Sequence, residues 1–233
     1  MRTAAHPNIP QIMLPGQAAV APGPLDMTNM YLAHYGFRRD LGHLLTAIGR
    51  VPLDDRRRVT ALREHYAWVL FVLHHHHTSE DETVWPRLRE RAPQALGTID
   101  ALEAEHEACD HWIRESTEAF QAVDARPSEQ GRERLMTALR ALADTIGAHL
   151  AHEEIDGIPL MMAHITPEED AATHKAIMKQ YGLRNLITLL GWITSELPAD
   201  VEAHLRKTSP RPLLLLSTLA RGRYQRRTAY LWG

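Results

Sequence analysis

Disulfide chemistry is the first thing this sequence lacks. Its 233 residues include one cysteine, Cys109, which has no partner in the chain; a reducing, cytoplasmic setting is expected. Long apolar runs are missing too, since none approaches the roughly 18 residues of a membrane span. The opening stretch MRTAAHPNIPQIMLPGQAAVAPGP carries Gln11 and five prolines where a signal peptide needs an unbroken apolar centre. Residues 1–25 therefore read as a flexible or surface-laid N-terminal arm. A net charge of -3 gives no field for nucleic acid. Almost no window alternates with period two, so helix is expected rather than sheet.

What the chain has in quantity is histidine, 15 residues, many of them beside acids. The periodicity predicts helices from Asp26 to Arg50, Leu53 to Arg91, Thr98 to Val123 and Arg132 to Asp156. Pro86 should bend the second, and Gly157 with Pro159 should stop the fourth. Short connections between amphipathic helices imply an all-α, up-down-up-down four-helix bundle over residues 26–162. Further helices should form a C-terminal extension, residues 163–233, packed on that bundle. TPEED at Thr166 gives them a start: an N-cap threonine, proline at N1 and acids in the first turn.

The chain also repeats. HHTSEDETVWP from His76 aligns with HLAHEEIDGIP from His149, so that Glu80 pairs with Glu153, Asp81 with Glu154 and Pro86 with Pro159, all 73 positions apart. His34 and His106 pair at 72. Two helical hairpins related by a rough twofold would gather these residues about one centre.

Helical phase says which side chains point inward. At about 100° per residue, His76 and Glu80 share the apolar stripe of Leu62, Val69 and Leu73. His77 falls on its edge, and His74 and His75 point away. His149 and Glu153 lie among Leu139, Leu142 and Ile146. His106 and Asp110 lie among Ile99, Leu102 and Ile113, and His34 lies above Leu41 and Leu45. Three buried carboxylates against one cation, Arg38, cannot be balanced by ion pairing, and an unpaired buried carboxylate costs several kcal/mol. Imidazole and carboxylate are donors for divalent first-row metals, and His-x-x-x-Glu sets both on one helix face. Seven donors exceed one tetrahedral zinc and suit two metals bridged by carboxylates.

These motifs resemble the haemerythrin-like, or HHE cation-binding, family. The resemblance covers about Met27 to Leu160 and rests on HYGFRRDL, HHTSEDETVWP, EHEACD and HLAHEEIDGIP, the second and fourth being the most specific. It implies a non-haem di-iron centre in a four-helix bundle, handling O2, peroxide or nitric oxide. The ions would be bridged by oxo or hydroxo and carboxylate groups, with zinc or manganese as substitutes. The ligand role falls on His34, His76, Glu80, His106, His149 and Glu153. Arg38, His77, Tyr31 and Tyr66 are expected beside the ligands, hydrogen-bonding them or a bound oxygen species. The chain departs from the O2 carriers on the third helix, where Asp110, the seventh expected ligand, stands in place of a second histidine. More anionic oxygen favours oxidised metals, so peroxide breakdown or oxidase chemistry is expected ahead of carriage. The rivals are a sensor of O2, nitric oxide or iron without turnover, and a structural zinc bundle. The apolar run of the extension could also serve a homodimer.

Overall fold

The structure is a computed structural model in which residues 7–233 are described. Helix α1 spans Thr28–Arg50 and α2 spans Arg56–Ser79. A π-helical turn, Glu80–Val84, leads from α2 straight into α3, Trp85–Arg91. Helix α4 is Leu96–Ala125. Helix α5, Glu129–His152, runs through a second π-helical turn, Glu153–Gly157, into α6, Ile158–His164. Then come α7 (Pro167–Ile193), α8 (Ala199–Thr208) and α9 (Arg211–Trp232), with no strand among the described residues. No described helix is long and apolar enough to cross a membrane.

Side-chain caps fix the starts. Asp55 accepts from the Arg58 amide and Ser128 from that of Gly131. Thr166 and Glu169 form a reciprocal capping box at α7, as TPEED foretold. Helix α1 packs on α2 and α5, and α4 packs on the same two, so the four long helices close a ring.

The fourth helix does not stop at Gly157. The carbonyl of Glu80 accepts from the Trp85 amide, and that of Glu153 from the Ile158 amide, each five residues on. A proline follows immediately in both cases, at 86 and 159. In a straight α-helix its ring would press on the carbonyl four residues back, and one extra residue in the turn relieves that conflict. Both turns begin on a carboxylate of the repeat and lie 73 positions apart, so the internal repeat extends to the backbone.

Two apolar clusters fill the interior. One holds Phe37, Leu73, Cys109, Ile146 and Leu150; the other holds Leu32, Val84, Leu102 and Ile158. Each of the four long helical runs passes from one cluster to the other. His34, His76, His106 and His149 all sit at that crossing, so a polar layer is held between two oily ones.

Residues 7–25 do not behave as a flexible arm. Ile12, Leu14, Ala21 and Leu25 are buried in the second cluster, and Gln11 donates to the Leu25 carbonyl at 2.7 Å. Their short apolar side chains cover the end of the helices around Tyr31 and Trp85; residues 1–6 lie outside the described residues.

Helices α7 and α9 pack on each other and reach α1 and α2. Gly191 permits this approach, because a Cβ there would stand 2.6 Å from the Ala220 carbonyl oxygen. A buried carboxylate ties the extension to α1. Asp40 Oδ2 accepts from Trp192 Nε1 at 2.9 Å and the Tyr224 hydroxyl at 2.8 Å, and stands 2.7 Å from His65 Nε2. Arg39 Nε donates to its other oxygen at 2.7 Å.

Candidate metal centre

The polar layer holds more than the sequence motifs named. His34, His77, Glu80, His106, His149 and Glu153 are buried, with His76 beside them. Three sets of donor atoms lie within 4.8 Å of one another: His77 with His106 and His149; His34 with His76 and Glu153; Glu80 with His149 and Glu153. Glu80 and Glu153 thus sit between a three-imidazole group and a two-imidazole group. Glu80 Oε1 stands 3.3 Å from His76 Nε2 and its Oε2 3.5 Å from His106 Nε2. Glu153 Oε2 is 3.2 Å from His34 Nε2 and 3.8 Å from His76 Nε2.

Three imidazoles are held from behind by acids. Nδ1 of His34 donates to Glu154 at 2.8 Å, Nδ1 of His106 to Asp81 at 2.8 Å, and Nδ1 of His149 to Glu105 at 3.0 Å. A carboxylate at Nδ1 places the proton there and turns a bare Nε2 lone pair inward, the arrangement of metal-binding histidines. Two such lone pairs, on His106 and His149, then face each other at 3.2 Å. Without a cation between them they repel. Two nitrogens on one metal at about 2.1 Å would lie roughly 3 Å apart.

The hydrogen-bond account points the same way. Nε2 of His34, His76 and His77 and both oxygens of Glu80 and of Glu153 are buried with no hydrogen-bond partner. Buried polar groups are nearly always paired, and unpaired ones cost about 1–3 kcal/mol each. Seven orphaned atoms on five converging side chains are a donor set suited to cations, and the residues fit a pair of them.

Titration follows from the same burial. Desolvation pulls His76 down to about 3 and takes His77 well below the usual imidazole value. Burial, and then the charge of Glu153, pushes Glu80 well above the carboxylate range. Burial works against Glu153 too, but the imidazoles of His34 and His76 hold it down to about 2. His34 is drawn down by burial and lifted further by Glu153, ending raised.

Six of the seven expected ligands, His34, His76, Glu80, His106, His149 and Glu153, meet in this layer; Asp110 does not. It is exposed, while its neighbour Cys109 is fully buried. The inner face of α4 runs through Leu102, His106, Cys109, Ser116 and Phe120, leaving Asp110 on the opposite flank. His77 changes role in the other direction. Only 7% exposed, it stacks on His106 with ring centroids 3.9 Å apart and aims Nε2 into the layer. Straight-helix phase places it on the stripe's edge, about 20° beyond Val84 and 40° beyond Leu73, both of them buried. The donor set is therefore five imidazoles and two carboxylates, and the anion-rich set expected from Asp110 is not formed.

Arg38 grips Glu154 with both nitrogens, at 2.8 and 3.1 Å, and so stands behind His34. Tyr31 is buried, and its hydroxyl accepts from the Ala21 amide. Tyr66 bonds Ser116 and stacks on Phe120, in the apolar cluster away from the polar layer. Glu105 was not singled out in the sequence. Nothing along α4 marks it, because its partners His149 and His152 come from α5.

Residues 26–161 match the family model described as the Hemerythrin HHE cation binding domain. Comparison with curated proteins and with solved structures finds no match.

Proposed function

The chain belongs to the hemerythrin HHE cation-binding family, and from that premise we propose that it is a dinuclear non-haem iron protein reacting with O2 or peroxide. The four long helices form an up-down-up-down bundle around the two ions. His77, His106 and His149 would hold one, and His34 and His76 the other, with Glu80 and Glu153 available to both. Asp81, Glu105 and Glu154 keep three imidazoles in the ligating tautomer. Iron bound there would give electrons to O2 from its ferrous state, or relay them from one peroxide, oxidised to O2, to a second, reduced to water. Apolar layers above and below exclude bulk water. The observation that carries this reading is the set of seven orphaned, inward-facing donor atoms.

Metal analysis tests it. About two irons per chain with absorption in the near ultraviolet is the expected result. Zinc alone, in protein from iron-replete cells, would overturn it.

A second reading, reversible binding or sensing without turnover, draws on the fifth imidazole. Asp110 is the residue that would favour turnover, and in its stead His77 brings a neutral donor to the layer. Oxygen evolved from added peroxide, and lost in Glu80→Ala and Glu153→Ala, decides for turnover. A reversible spectral change under O2 with no oxygen evolved from peroxide decides for binding.

A further inference from the structure

The rough twofold breaks at one place, and a chamber opens there. Glu105, which holds His149, precedes His106 by one residue; the equivalent position before His34 is Ala33. Among the described residues no carboxylate is hydrogen-bonded to Nδ1 of His76, the repeat mate of His149. Instead Ala33 and His76 border a cavity of about 180 Å³ between α1, α2 and α7. Its walls are Met30, Val72, Ile177, Met178, Leu189 and Ile193. A smaller space of about 40 Å³ shares Met30, Ser79, His174 and Ile177 with it and reaches Glu80. One imidazole and one carboxylate of the polar layer thus border the same pair of cavities.

Helix α7 makes the roof, and α7 lies beyond the family-matched residues. It is pinned at Tyr181, whose ring packs edge-on against Phe71 with centroids 5.6 Å apart and lies 4.6 Å from that of His75. Just past it, Gly182 leaves the helical conformation at φ 69° and turns the chain, so that Leu189 and Ile193 return over the chamber. Asn29 and Met178 are exposed at the rim and mark the way in.

We propose that this chamber is a binding site for a small, neutral, mostly apolar organic molecule of about one ring, held against His76 by the C-terminal extension. Its lining contains no lysine, arginine, aspartate or glutamate, so an ionic ligand would find no counter-charge. Size sets the upper limit: apolar cavities near 150 Å³ stay dry and accept benzene or xenon. The polar side chains of the lining are Asn29, His75, His76, Ser79, His174 and Tyr181, enough to orient one hydroxyl or carbonyl group. That the occupant is a substrate rests on the iron reading above; that the chamber binds it does not.

Toluene is the probe, titrated by calorimetry and ligand-observed NMR into the protein as purified and after metal removal. Saturable one-to-one binding is expected in both forms, with naphthalene refused. Ile177→Trp, which fills the chamber from the extension, should weaken toluene binding at least tenfold at unchanged metal content. Ile177→Ala should enlarge the space and admit naphthalene, a gain that misfolding cannot produce. Absence of saturable toluene binding in both wild-type forms, or equal binding by Ile177→Trp, would overturn the proposal. Toluene binding in protein isolated without iron from iron-replete cells would keep the chamber and remove the iron reading.

Discussion

The carboxylate of Glu154 accepts a hydrogen bond from Nδ1 of His34 at 2.8 Å, and 73 positions earlier Asp81 does the same for His106 at 2.8 Å. The two pairs are mates under the internal repeat. Acids that fix a ligating imidazole typically contribute 10–100-fold to metal affinity. Glu154→Ala and Asp81→Ala should each weaken metal binding by about that factor, measured by competition with a chelator. Their costs in stability should differ. Glu154 also holds Arg38 and the Ala18 amide and is fully buried, whereas the Asp81 side chain is 41% exposed. Glu154→Ala should therefore lower the melting temperature markedly, and Asp81→Ala only slightly.

Glu80→Gln should act differently in the two metal states. The Glu80 side chain is buried with neither oxygen hydrogen-bonded, and burial and the charge of Glu153 already disfavour its ionised form, so a neutral isostere costs little where no cation is bound. With metal present the same change removes a ligand oxygen. The melting temperature of the chelated variant should equal or exceed that of chelated wild type. That of the loaded variant should fall below loaded wild type, since a ligand at 100 times its dissociation constant adds about 2.7 kcal/mol. A fall in both states would mean that Glu80 is held by protein groups rather than by a cation.

The repeat was readable because its residues are chemically rare, and the four helices because their apolar stripes are long. What escaped the sequence was local geometry. Phase counted at a constant angle puts Asp110 within the inner face of α4, yet that face is centred on the Cys109 side and leaves the acid outside. The same counting underrates His77, since a layer containing side chains from four helices is wider than the seam between two. The π-helical turns leave no mark in composition; only the recurrence of proline six residues after each inward glutamate hints at them. Glu105 was invisible because its role depends on another helix. The packing of residues 7–25 was hidden by prolines that look like those of a loose arm.

Gly191→Ala should loosen the extension without touching the polar layer. The added Cβ would stand 2.6 Å from the carbonyl oxygen of Ala220 and 3.0 Å from Tyr224 Cβ. Backbone cannot swing aside as a side chain can, so α7 and α9 must separate. Overpacking of this kind costs about 1–3 kcal/mol. Faster proteolysis within residues 194–233, at unchanged metal content, is the expected outcome. Loss of metal together with the extension would show that the two are one cooperative unit.

Asp40 gives the extension its dependence on pH. Burial alone would raise its carboxyl, but the hydrogen bond from His65 and the charge of Arg39 outweigh that and hold it far below the usual carboxylate range. Because the folded value is depressed, the contribution to stability is complete above the unfolded value of about 3.9 and is lost as pH falls below it. The clamp on Trp192 and Tyr224 should thus be constant from pH 8 down to about 5 and weaken below about 4. Asp40→Ala leaves His65, Arg39, Trp192 and Tyr224 without their shared acceptor, and removing one member of a buried charged pair costs about 3–5 kcal/mol. In this variant α7 and α9 should be cut readily by protease at neutral pH, and the loss of stability between pH 5 and 3 should be shallower than in wild type. Wild-type stability that instead changed steeply between pH 6 and 7 would place control of the extension on an imidazole and not on Asp40.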